Sequence, residues 1–228
     1  MCVSIRKLTS FSLAVALLFA NCSTVRHVRP LKTGQQQVTL SLGGPITEVG
    51  KSYLPLPLLG VGYTYGLREN LSLEGGLGVT SLLFGIMQLD AGCSFFPFKA
   101  NGWVPGVFIS PRFFLITDFE KESLRLFPDL DFGGYWEYKR HYFYLGLESW
   151  FEIHSDRSDG VEQKHHWLAV PFLGYGIEKN RWSFQLEARV YTPNLENTGR
   201  ATKNIGIGDN GILGVFLGVN RQFGGRDE

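Results

Sequence analysis

Nowhere in the 228 residues do roughly 20 apolar residues follow one another, as a membrane-spanning helix requires. A polytopic helical membrane protein is thereby excluded. Charge of either sign is not in excess: 22 Lys and Arg stand against 21 Asp and Glu, for a net charge of +1. The chain therefore lacks both a basic surplus for nucleic acid and the acidic surplus of a disordered, solvating chain. Cysteine is scarce. Cys2, Cys22 and Cys93 form no CxxC pair, so neither a disulfide framework nor a zinc site is expected. Complete Walker-type and nucleophile-elbow motifs are missing. Gly206-x-Gly208 before Asp209-Asn210-Gly211 reads as loop and turn chemistry leading into a final strand. No cofactor, no metal and no nucleic-acid partner is expected.

Two residue classes are abundant instead. There are 28 glycines, and aromatic residues make up 14% of the chain at a mean hydropathy of −0.02. Glycine this frequent accompanies collagen or disorder in other chains, but no triplet period occurs and the aromatic content is too high for disorder. Glycine-rich and aromatic-rich at average hydropathy is the composition of a membrane β-barrel.

The amino terminus reads as a targeting segment. Arg6 and Lys7 precede a short apolar stretch over 11–20, a charged region followed by a core too short to span a bilayer. Cys22 follows directly, after Leu18-Phe19-Ala20-Asn21. A cysteine in that place resembles the lipidated first residue of a bacterial lipoprotein, with Phe19 and Asn21 in a relaxed version of the usual box. Residues 1–21 are expected to be a signal peptide and Cys22 the lipidation site. Residues 22–35 are expected to be the lipidated N-terminus and a polar linker.

From Gln36 onward the period is two. Over 181–193, Trp182, Phe184, Leu186, Ala188 and Val190 alternate with Ser183, Gln185, Glu187, Arg189 and Tyr191. Leu71, Leu73, Leu77 and Val79 alternate in the same way with Ser72, Glu74, Gly76, Gly78 and Thr80. This is strand periodicity with one large apolar face and one small or polar face. Strands are expected over 36–44, 56–68, 70–82, 86–98, 103–117, 125–138, 141–154, 166–178, 181–193 and 211–223. Most reach the ~9–11 residues that cross a bilayer at a tilt. Tight charged turns at 68–70, 99–102, 139–140 and 178–181 alternate with links near 45–55, 83–85, 118–124, 155–165 and 194–210, most of them longer. Short turns on one rim and longer loops on the other is the outer-membrane arrangement, with the short turns periplasmic. An even strand number puts both termini on that side. Aromatics such as Tyr63, Phe95, Trp103, Tyr138, Phe143, Trp182 and Phe223 flank the short turns, as an interfacial girdle would.

The stretch Val61-Gly62-Tyr63-Thr64-Tyr65-Gly66-Leu67-Arg68-Glu69-Asn70-Leu71-Ser72-Leu73-Glu74 resembles the hairpins of bacterial outer-membrane β-barrel proteins of the broad OmpA-type and porin-like superfamily. The last strand, ending Asn220-Arg221-Gln222-Phe223, resembles the aromatic-ended strand that such proteins present to the barrel-assembly machinery. The resemblance implies a barrel over 36–223, a C-terminal tail over 224–228, and outer-membrane lipid and the assembly machinery as partners.

On this parity Glu74, Asp90, Asp129, Asp131, Glu137, Glu148, Glu152 and Glu187 face the lumen, against Arg112, Arg125 and Arg189. Paired carboxylates can do acid–base work. A wet lumen also needs polar residues, and carboxylates there pair with arginines. The glycines on the same face are expected to leave room for water. His154 and Ser155 are adjacent, so strand alternation aims them at opposite faces, unlike the His-x-Ser spacing of barrel-shaped lipid deacylases. His165-His166 is the other candidate for rim chemistry. The expected fold is all-β, an up-and-down antiparallel transmembrane β-barrel of about ten strands. The expected role is non-enzymatic: structural, adhesive or narrow-channel, in the bacterial outer membrane with both termini periplasmic. The alternatives are a barrel-shaped outer-membrane enzyme acting on lipid or peptide, and a periplasmic lipoprotein with a ligand-binding β-barrel.

Overall fold

A computed structural model describes residues 25, 27–49, 52–120, 122–156, 162–197 and 203–225. The signal peptide and the lipidation expected at Cys22 lie outside the described residues. The strands are β1 (Gln36–Val49), β2 (Ser52–Pro55), β3 (Leu58–Arg68), β4 (Leu71–Gly78), β5 (Ile86–Phe98), β6 (Gly106–Asp118), β7 (Ser123–Tyr138), β8 (His141–Phe151), β9 (Trp167–Lys179), β10 (Trp182–Glu196) and β11 (Asn210–Phe223). All but β2 form the wall. Each pairs antiparallel with its neighbour in sequence, and β11 returns to β1 with Gln36 opposite Phe223 and Pro45 opposite Gly214. The result is a closed ten-stranded antiparallel β-barrel. Closure leaves no unpaired edge, so the wall meets its backbone hydrogen bonds internally.

The departures from the expected strands are local. β1 continues past its ring partners, and Ile46–Val49 pairs with β2 as a two-stranded arm at the long-loop rim. The strand expected over 70–82 stops at Gly78, and Val79–Leu82 forms a single helical turn, α1. There the Thr80 hydroxyl accepts the Leu59 N–H at 2.7 Å, standing in for a ladder carbonyl. The strand expected from 103 begins at Gly106, because Asn101 and Val104 close a tight turn and Pro105 has no N–H to give a ladder.

Alternation sorts the side chains radially. Leu186 is 49% exposed on the outside of β10, while Glu187 beside it is fully buried inside. Outward Leu40, Leu73, Phe143, Leu145, Leu173 and Leu217 are likewise exposed. An aromatic set stands at the short-turn rim: Tyr63, Phe95, Trp103, Tyr138, Phe143, Trp182 and Phe223. A second set, not expected from the sequence, stands at the long-loop rim: Tyr53, Phe84, Phe119, Phe151 and Trp167. On β8 the two sets are marked by Phe143 and Phe151, about 21 Å apart along the barrel axis at ordinary strand rise and a ~40° tilt. That is close to the ~25 Å apolar band of outer-membrane barrels.

The inward glycines do not leave open space. Each of several lies directly opposite a large inward side chain of the next strand, which covers it: Tyr135 over Gly106, Tyr144 over Gly174, Tyr142 over Gly176, Arg112 over Gly92. A Cβ on any of these glycines would collide with the covering side chain. The glycines let large side chains lie flat across the wall, and two apolar clusters stand on its inner face. One holds Phe96, Phe108, Tyr135, Tyr142, Tyr144 and Phe172. The other holds Phe114, Trp150, Val170, Tyr191, Ile212 and Phe216, with Phe114 stacked on Trp150 at 4.2 Å.

Candidate functional site

The lumen is the candidate site, and its charges gather in two groups. Arg112 on β6 faces Asp129 on β7, and Asp131 on the same strand faces Glu148 on β8. Arg112 Nη2 contacts the Asp131 carboxylate, and its Nε lies 3.9 Å from Asp129. Trp150 Nε1 donates to Glu148 at 2.5 Å. Oxygens of Asp129, Asp131 and Glu148 lie within 4.8 Å of one another, a spacing a cation would accept. Arg112 already supplies positive charge at that place. The second group joins β8 and β10: Arg189 Nε donates to Glu187 Oε1 at 2.5 Å, Tyr144 donates to Glu187 Oε2 at 2.8 Å, and the guanidinium lies 4.4 Å from the Phe216 ring. Both groups are buried, so each carboxylate is held by charge and hydrogen bonds rather than by bulk water.

The remaining expected lumen residues have structural partners too. Glu74 accepts from Ser94, which is 2.6 Å from Ser110. The Asp90 carboxylate lies over Gly76. Glu152, just past the end of β8, takes Arg125 at 3.8 Å on one oxygen and His154 Nδ1 at 2.8 Å on the other. His166 Nδ1 meets the Glu152 carbonyl oxygen at 2.8 Å. This knot joins β7, β8 and the start of β9. It is a base-and-carboxylate pair whose acid is shared with an arginine, an arrangement that clamps a loop. Ser155 is exposed beside it.

Of the residues expected to form a polar linker, 25 and 27–31 lie inside the barrel and 32–35 stand at its rim. At the short-turn rim Gly34 turns the chain with φ +77°, a conformation that suits glycine. Its N–H donates to the Gly66 carbonyl, and the Gly66 N–H donates to the Gln35 carbonyl, both at 2.8 Å. The segment then runs inward. Leu31, Val28 and Val25 are all buried. Val28 packs among Phe96, Phe108 and the inward tyrosines, and Val25 lies deeper, against Gly218 and the Phe114–Trp150 cluster. His27 meets Phe96 edge-on at 5.9 Å. Among the described residues of the segment, Arg29 is the main polar anchor. Its guanidinium lies 4.0 Å over the Tyr142 ring and reaches Glu178 at 2.7 Å and Glu137 at 3.2 Å. The other flank of the segment borders a cavity of about 30 Å³ that Gln37, Ser183, Gln185, Asn220 and Gln222 line with polar groups. The sequence carried a faint signal for this in the three-residue spacing of Val25, Val28 and Leu31.

No protein-family model matches the chain, and no curated protein matches it. Among solved structures it is similar to an outer-membrane channel from Pseudomonas putida F1, at TM-score 0.48 and 10% identity over 88% of this chain and 100% of that one. It is similar to the translocator domain of the autotransporter NalP from Neisseria meningitidis, at TM-score 0.48 and 12% identity over 96% and 94%. The outer-membrane protein OprG from Pseudomonas aeruginosa matches at TM-score 0.30 and 11% identity over 86% and 99%.

Proposed function

We propose that this chain is a bacterial outer-membrane β-barrel with a non-enzymatic role, built around a narrow lumen that its own N-terminal segment occupies. The observation that carries the reading is the radial sorting on a closed ring, with Leu186 half exposed outward and Glu187 fully buried inward. A soluble barrel would surround such an apolar exterior with water at great cost, whereas hydrocarbon accepts it. The short turns and both ends of the wall share one rim, which the proposal places in the periplasm. Recognition of the last strand by the assembly machinery belongs to the same proposal, as does acylation at Cys22, the acylated form being one in which residue 25 has left its seat in the lumen.

Refolding tests the reading. The mature chain is expected to fold into lipid vesicles and to migrate as a compact species until heated. Leu186→Arg is expected to block this, since an arginine facing lipid at mid-depth costs about 2–4 kcal/mol. Leu186→Ala is expected to be mild because lipid fills the gap. In a packed soluble core the same truncation costs about 2–5 kcal/mol. A severe Leu186→Ala defect in a protein that is soluble and monomeric without detergent would overturn the membrane reading.

A further inference from the structure

We propose that the segment described by residues 25 and 27–35 is a displaceable plug, and that the barrel conducts small cations when the plug leaves. The inference rests on the membrane reading above.

Three observations make the segment separable from the wall. The ring is complete without it, because β1 pairs with β11 on one side and β3 on the other. Among the described residues, its backbone hydrogen bonds to the wall lie at its rim end, at Gly34 and Gln35 with Gly66. Deeper in, it is held by side chains: three apolar contacts and the Arg29 anchor on Glu137, Glu178 and Tyr142. One flank packs while the other borders the polar cavity, so the segment sits in the lumen without being built into the wall. An eight-stranded barrel is filled by side chains alone, and ten strands enclose more. Here the extra width is taken up by a length of polypeptide.

Charge sets what would pass. The wall around the lumen presents Asp129, Asp131, Glu148 and Glu187 against Arg112 and Arg189. Removing Arg29 also leaves Glu137 and Glu178 at the entrance without that cation. A narrow passage with surplus carboxylate attracts cations and repels anions. Arg29 is thus a latch, and the permeant class is small cations.

The test uses the mature chain beginning at residue 22, refolded and inserted in planar bilayers in potassium chloride. Wild-type barrels are expected to stay closed for most of the record. Arg29→Glu places like charge beside Glu137 and Glu178, and is expected to raise the open fraction at least tenfold with cation over anion selectivity. A lock keeps the result interpretable. The Cβ of Val25 lies 3.1 Å from the position a Cβ would take on Gly218, a little under the roughly 3.5–4.5 Å of a disulfide, so a small shift of the segment seats the bond. Val25→Cys with Gly218→Cys, added to Arg29→Glu in a Cys22→Ser, Cys93→Ser background, is expected to close the pore when oxidised and reopen it on reduction. A folded, heat-modifiable Arg29→Glu barrel that never conducts would overturn the plug proposal, as would anion preference or currents indifferent to the lock. Failure of every variant, wild type included, to insert in lipid would instead overturn the membrane reading.

Discussion

Tyr144 lies flat over Gly174, its direct cross-strand partner, and its hydroxyl donates to Glu187 at 2.8 Å on the strand beyond. One side chain thereby links the neighbouring strands β8, β9 and β10 along the inner face of the wall. The link depends on glycine at 174, because any Cβ there would occupy the place of the ring.

Gly174→Ala is expected to destabilise the folded barrel by about 1–3 kcal/mol through overpacking. Tyr144→Phe is expected to cost about 1–3 kcal/mol by removing a hydrogen bond to a buried carboxylate. Urea unfolding of the vesicle-inserted protein, followed by tryptophan fluorescence, measures both. Gly174→Ala with Tyr144→Ala should be less destabilised than the sum of the two single changes, because the collision is gone.

The Arg112 group should respond asymmetrically. Arg112→Met leaves Asp129 and Asp131 without their arginine and is expected to cost about 3–5 kcal/mol. Adding Asp129→Asn and Asp131→Asn should recover a large part of the loss, since the charges that needed Arg112 are then absent. The same unfolding assay checks this, and no recovery in the triple variant would show that Arg112 acts by packing over Gly92 alone.

These relationships divide what the sequence disclosed from what it did not. Alternation over 181–193 placed Leu186 outward and Glu187 inward because a strand's facing is a local property with period two. The tight turns were legible for the same reason, as with Lys139-Arg140 between β7 and β8. The convergence of Arg112 with Asp131 depends on the register of β6 on β7, which no local pattern encodes. The inward glycines and tyrosines were visible separately. Only register shows that Gly176 faces Tyr142, so the inward glycines expected to leave room for water are covered by rings instead. The N-terminal segment is the larger departure. Its arginines and lack of period read as a solvated linker, whereas Arg29 finds its partners on β7 and β9, far along the chain.

Orientation is checked by labelling intact cells. In a Cys93→Ser background, Asp156→Cys lies at the long-loop rim and is expected to react with an impermeant maleimide. Asn180→Cys, in the tight turn between β9 and β10, is expected to react only after the outer membrane is permeabilised. The reverse pattern would invert the barrel.

Acyl chains on Cys22 and a seated Val25 exclude each other. Val25 lies against Gly218, about 13 Å in from the rim at Phe223 at ordinary strand rise and tilt. The three residues from 25 back to 22 span at most about 10 Å, so Cys22 stays inside the rim while Val25 is seated, and its acyl chains would have to cross the polar rim to meet lipid. In the Val25→Cys, Gly218→Cys background, protein whose mass includes acyl chains is expected to form little disulfide. The Cys22→Ser form, processed elsewhere, is expected to form it readily. Equal cross-linking in both would show that the lipid and the plug coexist.

The most direct measurement of the membrane assignment is a nitroxide spin label at position 186 in refolded, vesicle-bound protein. Its collision rates with oxygen, which concentrates in hydrocarbon, and with a water-soluble nickel chelate report what surrounds the side chain. Leu186 points outward near the middle of β10, so the label is expected to meet oxygen far more often than nickel, with mobility typical of a lipid-facing site. Nickel collisions exceeding oxygen collisions at position 186 would contradict the account, because they would place the outward face of this barrel in water.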